Sequence, residues 1–160
     1  MNNSTQHHAL IEDALNFSRV SRSECLVSNA AAEELEQCDS SVLPEIEEAI
    51  RNRVVPGSGD ITDPNDLLHR YPGLLSLWVA YFHVGKEGHV ERIAQFLRSL
   101  EGPVLATAIL AMRPVWYYKG PNVTLPTPLL ELVREAAESG TGNAAEVARH
   151  LLQNVLQLKT

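Results

Sequence analysis

The chain has 160 residues, a formal net charge of −7, 44% apolar residues and 21% charged ones. That length suits one domain with a sizeable core that needs no metal or disulfide staple, and the composition excludes a disordered chain. Residues 1–60 hold eleven acids against four bases, whereas 61–160 hold nine of each; the acidic half repels phosphate, which argues against nucleic acid and anionic membranes as partners.

Residues 1–6 are polar and lead into no apolar segment, so no secretory signal is expected. The longest apolar stretches, 74–84 and 104–112, fall short of the roughly 20 residues a membrane-crossing helix needs. A cytoplasmic protein is expected, in which the glycosylation-like Asn122-Val123-Thr124 means nothing.

In chain order, Thr5 is placed to cap a helix over 6–19, where Leu10, Ala14 and Phe17 recur at helical intervals. Ser23 is placed to cap 24–37, with Leu26, Val27, Ala30, Ala31 and Leu35 as its apolar set. Cys25 and Cys38 would then stand about 20 Å apart along that helix, beyond the ~7 Å a disulfide tolerates. Both read as free, partly buried thiols of a reducing compartment. Asp39-Ser40-Ser41 gives a turn and a cap, and Pro44 falls in the first turn of helix 41–53, where its missing N–H is harmless. Leu43, Ile46, Ala49 and Ile50 share one face of that helix, and its acids read as the other face.

Pro56-Gly57-Ser58-Gly59-Asp60 breaks the pattern within an irregular segment, 54–63. Asp63 then caps a short helix, with Pro64 first and Asp66 in its first turn, that Tyr71-Pro72-Gly73 ends. Leu74, Leu75, Leu77, Trp78, Val79, Tyr81 and Phe82 are apolar nearly all round, which places helix 74–84 in the middle of the packing. Gly85 and Gly88 bracket a turn before helix 89–100, with Val90, Ile93, Phe96, Leu97 and Leu100. Helix 103–118 carries Leu105, Ile109, Met112 and Trp116, and Pro114 forces a kink or an early end. After the loop 120–126, Thr127-Pro128 starts helix 128–138, with Leu129, Leu130, Val133 and Ala137 inside. Asn143 and Glu146 are spaced as a capping box for helix 144–158, with Val147, Leu151, Val155 and Leu158. No segment alternates as strands do, so the chain is expected to be all-α, with about seven or eight helices in a single domain.

A shift of 47 residues lays Ile46, Ala49, Ile50 and Arg51 on Ile93, Phe96, Leu97 and Arg98, and Leu35 on Phe82. A further 36 lays that set on Leu129, Leu132, Val133 and Arg134. A long apolar helix followed by a shorter amphipathic one, three times over 23–139, resembles HEAT-like or armadillo-like repeats. The shared features are a proline inside one first helix (Pro114), an aspartate at one turn (Asp39) and a basic residue in each second helix (Arg51, Arg98, Arg134). The insert at 54–63 departs from that regularity. The resemblance implies a short right-handed α-solenoid with hairpins at 23–53, 74–100 and 103–139, capped by 1–22 and 141–160. It also implies a concave side that binds a protein.

No catalytic or cofactor-binding constellation is visible, and no metal is expected. His7 and His8 read as solvated residues of a frayed first turn, and His83, Glu87 and His89 have Gly85 and Gly88 between them, which spoils ligand geometry. The expectation is a non-enzymatic adaptor or regulator gripping a protein partner. Its candidate contacts are the acids Glu33, Glu34, Glu47 and Glu48, within a run that also holds Glu36, Asp39 and Glu45, and the aromatic and basic cluster Arg113, Trp116, Tyr117 and Tyr118. The second reading is a small enzyme or ligand-binding protein with a pocket near Trp78, His83, Arg113 and Tyr117. The third is a homodimer through the apolar 74–84 helix.

Overall fold

The structure, a computed structural model, describes residues 3–16, 30–52, 72–100, 102–112, 115–116, 125–138 and 142–154. Among them are eight α-helices and no strand: α1 (Asn3–Leu15), α2 (Ala30–Leu35), α3 (Leu43–Asn52), α4 (Pro72–Gly85), α5 (Val90–Arg98), α6 (Gly102–Met112), α7 (Thr127–Glu138) and α8 (Gly142–Asn154). The Ser23 cap, Cys25, the insert at 54–63, the short helix after Asp63, and Arg113, Pro114, Tyr117 and Tyr118 lie outside the described residues.

Most helices start within three residues of their expected positions, and the shifts have local causes. Helix α1 begins at Asn3, so Thr5 lies inside it rather than capping it. Its buried face is His7, Ile11 and Ala14, at intervals of four and three, with Leu10 only half-buried. His7 is therefore not a frayed, solvated residue. In α4, Pro72 opens the helix instead of closing the segment before it, because its fixed φ suits a first helical turn. Gly73 follows because α1 crosses there: a Cβ at that position would stand 2.2 Å from the Leu15 carbonyl oxygen. Gly88, at φ +92°, makes the left-handed turn out of α4.

Asp39 caps as expected, its carboxylate accepting from the Ser41 amide at 3.0 Å, and a 3-10 turn over Ser40–Val42 leads into α3. Asn143 does not cap, since α8 has already begun at Gly142, and the Glu146 carboxylate turns to Arg149 at 3.0 Å. Helix α7 starts from the Pro126 carbonyl, which accepts from the amides of Leu129 and Leu130, and this puts Thr127 inside the helix.

Helices α4 and α6, the two most uniformly apolar, occupy the centre. Helix α4 touches α1, α2, α3, α5 and α6; α6 in turn packs on α8, and α7 lies between α5 and α8. One continuous core runs from Ile11 in α1 to Leu151 in α8. Within α4, Leu74, Leu75, Leu77, Trp78, Ala80, Tyr81 and Phe82 are all buried, and only Val79 and Val84 among its apolar side chains remain half-buried. The expected dimer face on 74–84 is thereby taken up inside the chain. Trp78 stacks on Phe82 at 5.7 Å between centroids and meets Tyr81 edge-on at 5.5 Å. Such ring pairs add about 0.5–1.5 kcal/mol each beyond the area they bury.

The three positions related by the internal repeat, Ile46, Ile93 and Leu129, are each fully buried. So are Leu35 and Phe82, and Ile50, Leu97 and Val133 follow the same pattern.

Candidate functional site

The most organised polar group in the described structure is centred on Glu47. Leu43, Glu47 and Ile50 lie at intervals of four and three, so α3 carries this acid on its buried stripe and not on the acidic face the sequence suggested. The Glu47 side chain is 8% exposed. Arg92 of α5 binds it as a fork, Nε to Oε2 at 2.9 Å and a terminal nitrogen to Oε1 at 2.8 Å. The Tyr81 hydroxyl of α4 donates to Oε2 at 2.6 Å. Burial alone would push the carboxyl up, but hydrogen bonds from Arg92 and Tyr81, with the charges of Arg92 and Arg51, hold it below the ordinary carboxylate range. Burial, and then the bond to Glu47, push the Tyr81 phenol well up. Both oxygens of Glu47 are engaged, Oε2 twice and Oε1 once, so the group ties three helices together.

Similar contacts continue on either side. His7 Nδ1 of α1 meets the Glu45 carboxylate of α3. The Arg51 guanidinium stands 4.9 Å from the centre of the Phe96 ring of α5. Arg98 of α5 reaches Glu135 of α7 through two nitrogens, at 3.4 and 3.2 Å, in an exposed fork. Each helix of the series α1, α3, α5, α7 is therefore joined to the next by a polar side-chain or cation–π contact.

Of the remaining candidate contacts, Glu33, Glu34 and Glu48 are exposed, as expected of an acidic face. Glu36 is half-buried, with His83 Nε2 at 4.0 Å from one oxygen. Burial, then repulsion from Glu33, raise its carboxyl, partly offset by Lys86. Asp39 is held low by its bonds from Ser41. Cys38 is half-buried, and burial followed by the charges of Asp39, Glu34 and Glu45 pushes its thiol up, which favours the unreactive protonated form.

Trp116, a candidate contact that also stands on the apolar stripe of 103–118, is buried, its ring 5.3 Å from Phe82. The rest of that cluster, Arg113, Tyr117 and Tyr118, lies outside the described residues. The alternative pocket fares similarly. Trp78 is fully buried and its indole N–H donates to the Thr107 hydroxyl at 3.1 Å, while that hydroxyl donates to the Val104 carbonyl at 2.7 Å. Both polar ends are spent inside the core. Sequence reasoning named Glu47 but set it on the exposed acidic face, although its place four residues after Leu43 and three before Ile50 was an available signal of burial.

Among the described residues, no three His, Cys, Asp or Glu side chains gather as metal ligands. No described helix is long and apolar enough to cross a membrane. No family model matches the chain, and no curated protein or solved structure is detectably similar to it.

Proposed function

We propose that this chain is a short HEAT-like stack of helical hairpins that binds a protein, using its acidic first hairpin as one contact surface. The observation carrying the reading is the recurrence along α3, α5 and α7: repeat-related apolar positions are buried and the repeat-related Arg51 and Arg98 each reach the following helix. The packing of α2 on α4, α4 on α6 and α6 on α8 supports a second layer running beside the first. Such stacks expose long surfaces built from equivalent faces, and function follows from what those faces carry.

On the first hairpin, Glu33 and Glu34 of α2 and Glu48 of α3 carry exposed negative charge, and Glu36 is already crowded by Glu33. A lysine- or arginine-rich segment of a partner fits that surface, and its attraction must weaken with salt. The test is calorimetric titration of the whole chain with a synthetic Lys/Arg-rich peptide, at low and at high salt. Saturable binding that high salt weakens, and that Glu33→Lys/Glu34→Lys abolishes, is the expected outcome. Binding unaffected by that double reversal rules out the acidic surface as the contact.

A further inference from the structure

Where α2 packs on α4, an acid and an imidazole meet at one seam. Glu36 follows directly after α2, its amide donating to the Ala32 carbonyl at 3.1 Å, and His83 lies in the last turn of α4. The His83 Nε2 stands 4.0 Å from a Glu36 oxygen, and the two side chains are 26% and 27% exposed. Both positions favour a proton. A helix is negative at its C-terminal end, so the end of α2 opposes charge on Glu36 and the end of α4 favours a cation at His83. Burial opposes the Glu36 charge further, Glu33 repels it from one turn back, and Lys86, just past α4, offsets part of this. His83 has Lys86 and Glu87 three and four residues further along its own chain. Helix α1 also packs on α2 and, among the described residues, brings no charge that weighs on Glu36.

We infer that Glu36 and His83 form a proton switch on the acidic first hairpin, in which uptake of a proton by the pair tightens α2 on α4 and weakens the hairpin's hold on a basic partner. The inference rests on the acidic-surface reading above and names the regulation of that surface. With the proton on the imidazole, a carboxylate faces a cation across the seam. With the proton on the carboxyl, the group buries more readily and loses the charge that Glu33 repels. Both routes draw the two helices together, and both lower the negative charge offered to the partner by one. The sign follows from linkage. The Glu36 carboxyl is raised above its ordinary value of 4.5, so seated α2 holds that proton more tightly than released α2. The seat is firmest below that value and loosens as pH rises through the raised one. Lysines and arginines of a partner act in the opposite sense. They stabilise the ionised carboxylate, so their binding expels the proton and strengthens as pH rises.

The test reads the seam and the partner separately. Hydrogen-exchange protection of the Glu36 and Cys38 amides, corrected for intrinsic rates, is measured on the whole chain at about pH 8 and about pH 5. Protection should rise roughly two- to fivefold toward acid, while that of the Ile93 amide in α5 holds constant. Glu36→Gln/His83→Gln removes both titrating groups and should abolish the rise. If that variant loses protection at Ile93 and so is not folded, the isosteric Glu36→Gln alone takes its place and must reduce the rise. The Lys/Arg-rich peptide, titrated calorimetrically at the same two pH values, should bind the native chain roughly two- to fivefold more weakly in acid, and the double variant equally at both. Protection that ignores pH, or a rise that persists in the variant, overturns the switch. Peptide affinity equal at both pH values overturns the regulation and leaves the acidic surface standing. Absence of saturable binding at either pH overturns the acidic surface itself, and the regulation with it.

Discussion

A buried carboxylate that accepts from three donors fixes the positions of the groups that feed it. Glu47 does this for Tyr81 and Arg92, and its removal strands the Tyr81 hydroxyl in the core. Breaking a buried pair on one side costs about 3–5 kcal/mol, so Glu47→Ala should lower unfolding stability by about that amount in a urea titration. Glu47→Gln keeps an acceptor and loses the charge, and its cost should be about 1–3 kcal/mol. The same residue sets a pH dependence. Folding lowers its carboxyl below the ordinary value of 4.5, so the unfolded chain takes up that proton first as the solution is acidified. The stability contributed is complete above about pH 4.5 and is lost as pH falls through the folded-state value. Acid unfolding of Glu47→Gln followed by circular dichroism should accordingly show a shallower loss over that range; an unchanged profile would remove Glu47 from the account. Trp78 makes the parallel case for a neutral pair. Thr107→Val leaves the buried indole N–H without an acceptor and should cost about 1–3 kcal/mol, whereas Thr107→Ser keeps the hydroxyl and should cost less.

At the scale of elements, what was legible in the sequence is what periodicity encodes. Ile46 with Ile50, Ile93 with Leu97, and Leu129 with Val133 mark the buried stripes of α3, α5 and α7 before any coordinate is seen, and the unbroken apolar run of α4 marks its central place. Caps were less legible, because Thr127, Asn143 and Thr5 have the chemistry of caps but stand first, second and third within helices begun by other means. Least legible was polar satisfaction. Glu47 among six other acids looks solvated until Arg92, 45 residues later, and Tyr81 are brought to it. His7 likewise depends on Glu45, 38 residues away. Trp116 stood both on the apolar stripe of 103–118 and in a consecutive Trp-Tyr-Tyr that cannot be wholly buried on a helix, and its burial against Phe82 decides for the core. The crossing of α1 over α4 gives a sharp test at this scale. Gly73→Ala drives a methyl group into the Leu15 carbonyl, a rigid neighbour, so the two helices must part. A loss of more than about 2 kcal/mol is expected, with hydrogen exchange accelerated first in α1. An unaltered exchange pattern would mean that α1 does not press on that turn.

Across the whole molecule, α2 packs on α4, α4 on α6 and α6 on α8, while α3, α5 and α7 are linked by cations from one helix to the next. The links differ in weight. The Arg98–Glu135 fork is exposed on both sides and should contribute less than about 1 kcal/mol, while removing the shielded Glu47 from its group should cost several times that, because its partners are left without an acceptor. Apolar burial supplies most of the stability, and the polar links choose which faces meet. The central claim is that α3, α5 and the α4–α6 pair meet through these particular side chains. A nuclear Overhauser spectrum of the isotopically labelled chain tests it most directly. Cross-peaks between the Arg51 side chain and the Phe96 ring, and between the Trp78 indole proton and the Thr107 methyl, are the predicted result. A well-folded sample in which neither cross-peak appears would contradict it.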